Sequence, residues 1–229
     1  MSPSRWCRQR NTRPLSLSSR VPDPPPSSSL QPLLFIWEKG RPLCRCHSDR
    51  FHPAQFNPGR GSGRFHPFKD ARGVVVPTLY AAGDLEGALS ETVFHNVAAK
   101  GPGKAVRRVD LRSLTLSTLV CDRDLRLAQL FGFGLRRLNI TRMNLIEASK
   151  RQYSRTVAWA RALHGCGDRI DGLVWVSRQN DGARSIILFG DRVPSSALRA
   201  LGPSLSLKSG PGYEAVVRAA DQAGILLYD

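Results

Sequence analysis

The sequence lacks the features that would place it in a membrane or a disulfide-stapled scaffold. No window approaches the roughly 18 consecutive apolar residues of a spanning helix. The longest early apolar stretch is Leu33-Leu34-Phe35-Ile36-Trp37. The N-terminus carries arginines but no apolar segment with a small-residue cleavage site, so it reads as having no signal peptide. The cysteines, at 7, 44, 46, 121 and 166, are odd in number and too sparse for a disulfide framework. They read as free thiols of a cytoplasmic protein. Cys44-Arg45-Cys46-His47 has no second ligand pair at finger or ribbon spacing, so no metal is expected. Walker, G-x-G-x-x-G and G-x-S-x-G patterns are missing too, which removes the ordinary nucleotide loops and the hydrolase elbow.

Acidic residues are also scarce: 18 against 34 basic ones, a net charge of +16. Such a balance attracts polyanions. The excess is scattered along the chain rather than gathered in one block, however, and arginine far outnumbers lysine. Direct nucleic-acid binding is therefore the weaker reading.

What is present is enough for one domain of ordinary size, since 41% of the 229 residues are hydrophobic. Residues 1–40 read as a basic, Pro/Ser-rich, disordered tail, clearest at Pro24-Pro25-Pro26-Ser27-Ser28-Ser29, and 41–229 as the folded domain. Arg50–Lys69 is broken by Pro and Gly and reads as loop. Val74–Ala81 reads as a strand interrupted by Pro77, and Asp84 as the N-cap of a helix reaching about Ala99. Ala105–Leu111 and Leu114–Cys121 are expected strands, Asp122–Phe131 a short helix, and Gln152–His164 a helix closed by Gly165. Two apolar runs, Gly172–Ser177 and Arg184–Gly190, flank the turn residues Gln179–Gly182 as a hairpin. A helix at Tyr213–Gln222 and a strand at Ile225–Tyr228 complete the pattern. Strands and helices mix without βαβ rhythm, so the expected class is α+β, a compact mixed sheet with flanking helices.

Three residues stand out for chemistry. Arg64 follows Gly61-Ser62-Gly63, a flexible approach that can bring backbone N–H groups and a guanidinium to phosphates. Tyr80 ends a strand just before a helix loop. Glu91 lies at the edge of an apolar helical arc made by Leu89, Val93, Val97 and Phe94, with small Ala88 and Ala98 beside it. Taken singly, each also has an ordinary reading: a solvated arginine, a core tyrosine, an exposed helix glutamate. Ser154, in the first turn of a helix, reads either as a cap or as a ligand for an anion or hydroxyl.

Six segments, in order and spacing, resemble the RES domain, named for its arginine, glutamate and serine. They are Leu43-Cys44-Arg45-Cys46-His47; Phe56-Asn57-Pro58-Gly59 with Gly63-Arg64-Phe65; Leu79-Tyr80-Ala81; Ala88-Leu89-Ser90-Glu91; Tyr153-Ser154-Arg155-Thr156; and Asp171 through Ser177. The resemblance implies a fold like that of ADP-ribosyltransferase toxins and a toxin activity that cleaves the nicotinamide–ribose bond of NAD, with water or phosphate as acceptor, or alternatively a protein side chain in an ADP-ribosyltransferase. NAD is then a substrate and no cofactor is needed. It further implies a partner antitoxin with an Xre-like DNA-binding region, contact with nucleic acid only through that partner, and room for a homodimer. Carried onto this sequence, Arg45 and Arg64 would hold phosphates, Tyr80 would stack near the nicotinamide, and Glu91 would stabilise the ribose. Ser154 is taken as the family serine, with Ser177 as the alternative. Arginine-directed ADP-ribosyltransferases carry a second Glu two residues before the catalytic one; here that position is Leu89.

Overall fold

The computed structural model describes residues 20–229, apart from 99, 102 and 168. In chain order the strands are β1 (Leu34–Trp37), β2 (Leu43–Ser48), β3 (Thr78–Ala82), β4 (Ala105–Arg107), β5 (Leu114–Cys121), β6 (Leu125–Gln129), β7 (Gly172–Val176), β8 (Arg184–Phe189), β9 (Leu198–Ala200), β10 (Leu205–Ser206) and β11 (Leu226–Tyr228). The helices are α1 (Leu85–Ser90), α2 (Phe133–Arg137), α3 (Arg142–Leu145), α4 (Tyr153–His164) and α5 (Gly210–Ala223). Nine strands form one sheet in the order β1-β6-β7-β8-β3-β2-β5-β10, with β9 also on β5; β4 and β11 pair separately. The β6–β7 pair is parallel and the other pairs of the large sheet are antiparallel, so the class is α+β with a mixed sheet.

The hairpin around Gln179–Gly182 supplies the centre of this sheet. Side chains of neighbouring strand residues point to opposite faces, and here the alternation divides the core. On one face Leu173, Trp175, Ile187 and Phe189 join Trp159 and Leu163 of α4. On the other, Val174, Ile186 and Leu188 join Trp37, Leu43 and Leu119. Gly172 permits the close crossing of β7 and β8, since a Cβ there would lie 2.0 Å from the Ile187 carbonyl oxygen. A third cluster, built on Leu89, Leu111, Leu116 and Val216, packs α1 and α5 against the β2–β5 side.

Several expectations need correction. Residues 122–131 are not helical: Leu125 and Leu127 are buried with Arg126 exposed between them, a period of two that serves pairing with β1 and β7. Asp171 fixes that strand, accepting two bonds from the Arg123 guanidinium at 2.9 and 2.8 Å and one from the Arg126 N–H at 2.8 Å. The strand expected over 105–111 stops at Arg107 and continues as a 3-10 turn. The strand expected from Val74 begins at Thr78, beyond Pro77. The helix from Asp84 ends at Ser90 rather than near residue 99; the next residues, Thr92 and Val93, are β-branched and lower helix propensity.

The 1–40 tail is the largest correction. Its first nineteen residues lie outside the described part of the chain, but 20–40 is packed. Val21 and Leu30 are buried in the α4 cluster, and β1 pairs with β6. The Trp159 indole donates to the Pro22 carbonyl at 2.8 Å, and Arg155 donates to the Val21 carbonyl at 3.0 Å. Proline-rich composition hid a segment that, before β1, has its backbone polar groups met by side chains such as Arg137, Gln152, Arg155 and Trp159 rather than by a sheet. Val21→Ala should therefore cost about 1.5–3 kcal/mol. Urea unfolding measures this, and a change within error would show that the strap contributes nothing to stability.

Candidate active site

A cavity of about 270 Å³ opens between the α4 face of the sheet and α1. It gathers side chains from six separate places: Arg64 from the loop before β3, Tyr80 from β3, Glu91 from the end of α1, Tyr153 from the start of α4, Trp175 from β7 and Ser185 from β8. The three residues singled out in the sequence thus share one site.

Arg64 is buried, at 6% exposure, and pairs with no carboxylate among the described residues. Its Nη1 donates to the Ala148 carbonyl at 3.1 Å, its guanidinium carbon lies 5.4 Å from the Tyr153 ring centre, and its Nη2 has no partner. Burial pushes its pKa below the usual arginine range, opposed by Tyr153, Glu91 and Tyr80 and reinforced by Arg178. The backbone is held as firmly, because the Thr156 hydroxyl donates to the Arg64 carbonyl. Gly63 is a glycine for steric reasons: a Cβ there would lie 2.5 Å from the His66 ring and 3.1 Å from the Tyr80 hydroxyl. That hydroxyl accepts the Phe65 N–H at 3.2 Å and so ties β3 to the Arg64 loop. Burial raises its pKa well above the ordinary tyrosine value, leaving a neutral phenol.

Glu91 is the C-cap of the shortened helix, not an interior helical residue. The cap position turns it toward the cavity, with Oε1 buried and unpartnered and Oε2 3.9 Å from His95 Nδ1. Burial lowers the His95 pKa; Glu91 opposes this, while Arg64, Arg178 and Lys150 add to it. His95 is accordingly neutral at pH 7 and does not neutralise the carboxylate. Cys44 and Cys46 also line the cavity, but burial holds both thiols up, that of Cys46 to about 12, so neither is a nucleophilic thiolate.

Three expected site residues lie elsewhere. Arg45 follows Cys44 on β2, and strand alternation sends it to the opposite face, where Nη1 donates to the Pro53 and Gln55 carbonyls at 2.5 and 2.9 Å. Burial pushes its pKa down to about 10. Ser154 is exposed and does not line the cavity; its neighbour Tyr153 does. Ser177 is fully buried beyond the end of β7, its hydroxyl accepting the Gln179 N–H at 3.2 Å in the hairpin turn. The cavity is lined by Ser62 and by the buried Ser185, the latter passed over by sequence reasoning, as were Trp175, Tyr153, Lys150 and His95. The alternation of β8 held the available signal: one polar residue on the face shared with Ile187 and Phe189.

Five buried side-chain polar atoms have no partner among the described residues, and four belong to cavity-lining residues: Arg64 Nη2, Glu91 Oε1, Trp175 Nε1 and Ser185 Oγ. Buried polar groups are nearly always hydrogen-bonded, so four orphans in one cavity mark a place for a polar ligand. No group of three or more His, Cys, Asp or Glu suited to a metal occurs among the described residues. No helix among them is long and apolar enough to cross a membrane.

Comparison with known proteins agrees with this picture. The family model of the RES domain matches residues 42–208. A chain of the crystal structure of the M. tuberculosis MbcT–MbcA toxin–antitoxin complex superposes with a TM-score of 0.57, covering 82% of this chain and 92% of that one at 15% identity, a likeness of fold. No curated protein matches the sequence.

The buried histidines give the fold a definite pH dependence. Burial lowers the pKa of His47, His66 and His95. Below about 6.5 the unfolded chain binds protons that the folded chain refuses, so stability falls as pH falls through that window. The carboxylates of Asp70 and Asp191 are held below their ordinary range and do not titrate there. Tm should drop between pH 7.5 and 5.5; a flat or rising Tm would contradict the assignment.

Proposed function

The chain belongs to the RES-domain family, and on that footing we propose that it cleaves the nicotinamide–ribose bond of NAD, with water or phosphate as the acceptor of the ADP-ribosyl group. The observation that carries this reading is the meeting, in one cavity, of a buried guanidinium with no carboxylate partner and a half-buried carboxylate whose Oε1 is unpartnered, beside an aromatic ring. A dinucleotide has a counterpart for each: phosphate for Arg64, ribose for Glu91, and a flat ring for Tyr80.

In the reaction the C1′–N bond breaks, and its electron pair neutralises the pyridinium nitrogen, so nicotinamide leaves as a neutral base. Positive charge appears on the ribose. Glu91 faces that charge as a fixed anion and lowers the barrier as it develops, the logic shared with glycoside hydrolysis. Water or phosphate then bonds to C1′; water loses a proton to solvent. Neutral His95 leaves the Glu91 charge available for this purpose. Leu89, two residues before Glu91, is fully buried in the α1 core, which disfavours arginine-directed ADP-ribosyl transfer. The likeness to a chain of a toxin–antitoxin complex supports a toxin role with an antitoxin partner; an Xre-like type for that partner, supplying any contact with DNA, is part of the proposal.

Nicotinamide release from NAD, followed with and without phosphate, tests the activity; folded protein that releases none in either condition ends the enzyme reading. Glu91→Gln should lower kcat while leaving NAD affinity nearly intact, because the carboxylate acts as charge builds. Arg64→Ala should weaken NAD binding by about 1.5–3 kcal/mol, the range for a charged hydrogen bond. Arg64→Lys should recover only part of it, since an ammonium lacks the bidentate fork. Calorimetry on the variants beside turnover rates separates the two roles, and reversed behaviour of Glu91 and Arg64 would exchange them.

A further inference from the structure

The charged pair accounts for two of the four unpartnered polar atoms in the cavity. The other two are neutral, and they are neighbours. Trp175 on β7 and Ser185 on β8 stand directly opposite each other in the antiparallel ladder. Directly opposed residues have Cβ atoms about 4.5–5.5 Å apart on one face of the sheet. Both side chains line the cavity, Trp175 is 2% exposed and Ser185 1%, and neither Trp175 Nε1 nor Ser185 Oγ has a partner. The indole is held by edge-on packing against Phe65, 5.1 Å between ring centres at 65°, and against Tyr80, 6.2 Å at 81°. The backbone of Ser185 is held too, since β8 lies between β7 and β3 and Ser185 pairs with Ala82 on its other side.

Neither group is explained by packing. Alanine would fill the volume of Ser185 without burying a hydroxyl, and phenylalanine would supply an aromatic ring at 175 without an N–H. Leaving each polar atom dry and unpaired costs free energy that a ligand can return. An indole N–H only donates, whereas a hydroxyl donates or accepts. Side by side, they match a neutral planar group that offers an acceptor and a donor a short distance apart. A carboxylate offers acceptors only and is better served by Arg64.

We infer that Trp175 and Ser185 form the specificity pair for a primary carboxamide on an aromatic ring, Trp175 Nε1–H donating to the amide oxygen and Ser185 Oγ accepting from the amide nitrogen. This deepens the NAD reading and rests on it: the carboxamide is that of the nicotinamide ring. The pair holds the leaving group at one end of the cavity, while Arg64 and Glu91 act on the phosphate and ribose. Selectivity for the amide then lies in β7 and β8, not in the Arg64 loop.

The test compares NAD with its 3-acetylpyridine analogue, in which a methyl ketone keeps the oxygen and loses the N–H₂. Wild type should favour NAD in kcat/KM by about ten- to a hundredfold, as expected when a buried acceptor is left unpaired. Ser185→Ala should bring that ratio close to one, and Ser185→Thr should restore it in part. Trp175→Phe should weaken both dinucleotides together and leave the ratio standing. Calorimetric binding of free nicotinamide and 3-acetylpyridine to the same proteins gives the same contrast without turnover. If wild type cleaves NAD yet Ser185→Ala keeps the full preference, the pair merely holds water and the assignment is overturned. If wild type cleaves neither dinucleotide, the proposed activity fails, and the binding contrast alone decides whether the pair reads a carboxamide. Equal binding of the two small molecules to wild type would end the assignment as well.

Discussion

The site depends on the burial of Arg64 without a counter-ion. Taking a guanidinium out of water without pairing it costs several kcal/mol, and one carbonyl, that of Ala148, together with the Tyr153 ring, offsets only part of this. The fold secures the arrangement from the backbone side. Thr156 in α4 holds the Arg64 carbonyl, and the Tyr80 hydroxyl holds the next N–H, so the loop is tied to a helix and to a strand. What remains without a partner is one donor nitrogen, Nη2, on a residue that lines the cavity. An anion entering there meets a donor already oriented and already stripped of water, which is the condition for strong electrostatic recognition.

Strand alternation then decides which neighbours can reach that donor. On β2 it sends Cys44 and Cys46 to the cavity and Arg45 to the far side. On β8 it sends Ser185 to the face of the arginine and Ile186 to the opposite core. A one-residue slip in either strand would exchange these sets. Asp171 fixes a different pair, β6 against β7, where the sheet changes from antiparallel to parallel pairing, because its carboxylate binds Arg123 and the Arg126 N–H at once. The chemistry of the cavity is therefore inherited from sheet register, some distance from the residues that carry it.

Much of this was legible before the fold was seen. The hairpin at 172–189, the strand at 114–121 and the helix ending at His164 follow from local pattern alone. Arg64, Tyr80 and Glu91 could be assigned to one site because their spacing matches a known family. What stayed hidden depends on tertiary partners. The 21–31 strap has no periodicity, since its polar groups are met one by one by side chains scattered through the fold, Arg137, Gln152, Arg155 and Trp159. The 122–131 segment has helix-forming leucines and arginines whose alternation matters only once β1 and β7 flank it. Arg45 matched the family's motif, but a motif says nothing about which face of a strand a side chain takes. Ser154, opening a helix after an aromatic, and Ser177, closing a strand, are the serines that the sequence makes conspicuous. Ser185 is inconspicuous, a lone hydroxyl in an apolar strand, and acquires meaning only when Trp175 is found opposite it.

The distribution of charge around the cavity completes the argument. Arg64, Lys150 and Arg178 all act on His95 in the same direction as burial, and Glu91 alone opposes them. A positive surround of this kind attracts anions, and Glu91 is the one negative group among those acting on the histidine. Burial, reinforced by the same surround, holds the His95 pKa down, so the histidine beside the carboxylate does not quench it. A pull on anions and a carboxylate with an unpartnered oxygen thus meet in one cavity. The overall excess of arginine, which on sequence alone suggested polyanion binding, has at this site a local consequence of that kind.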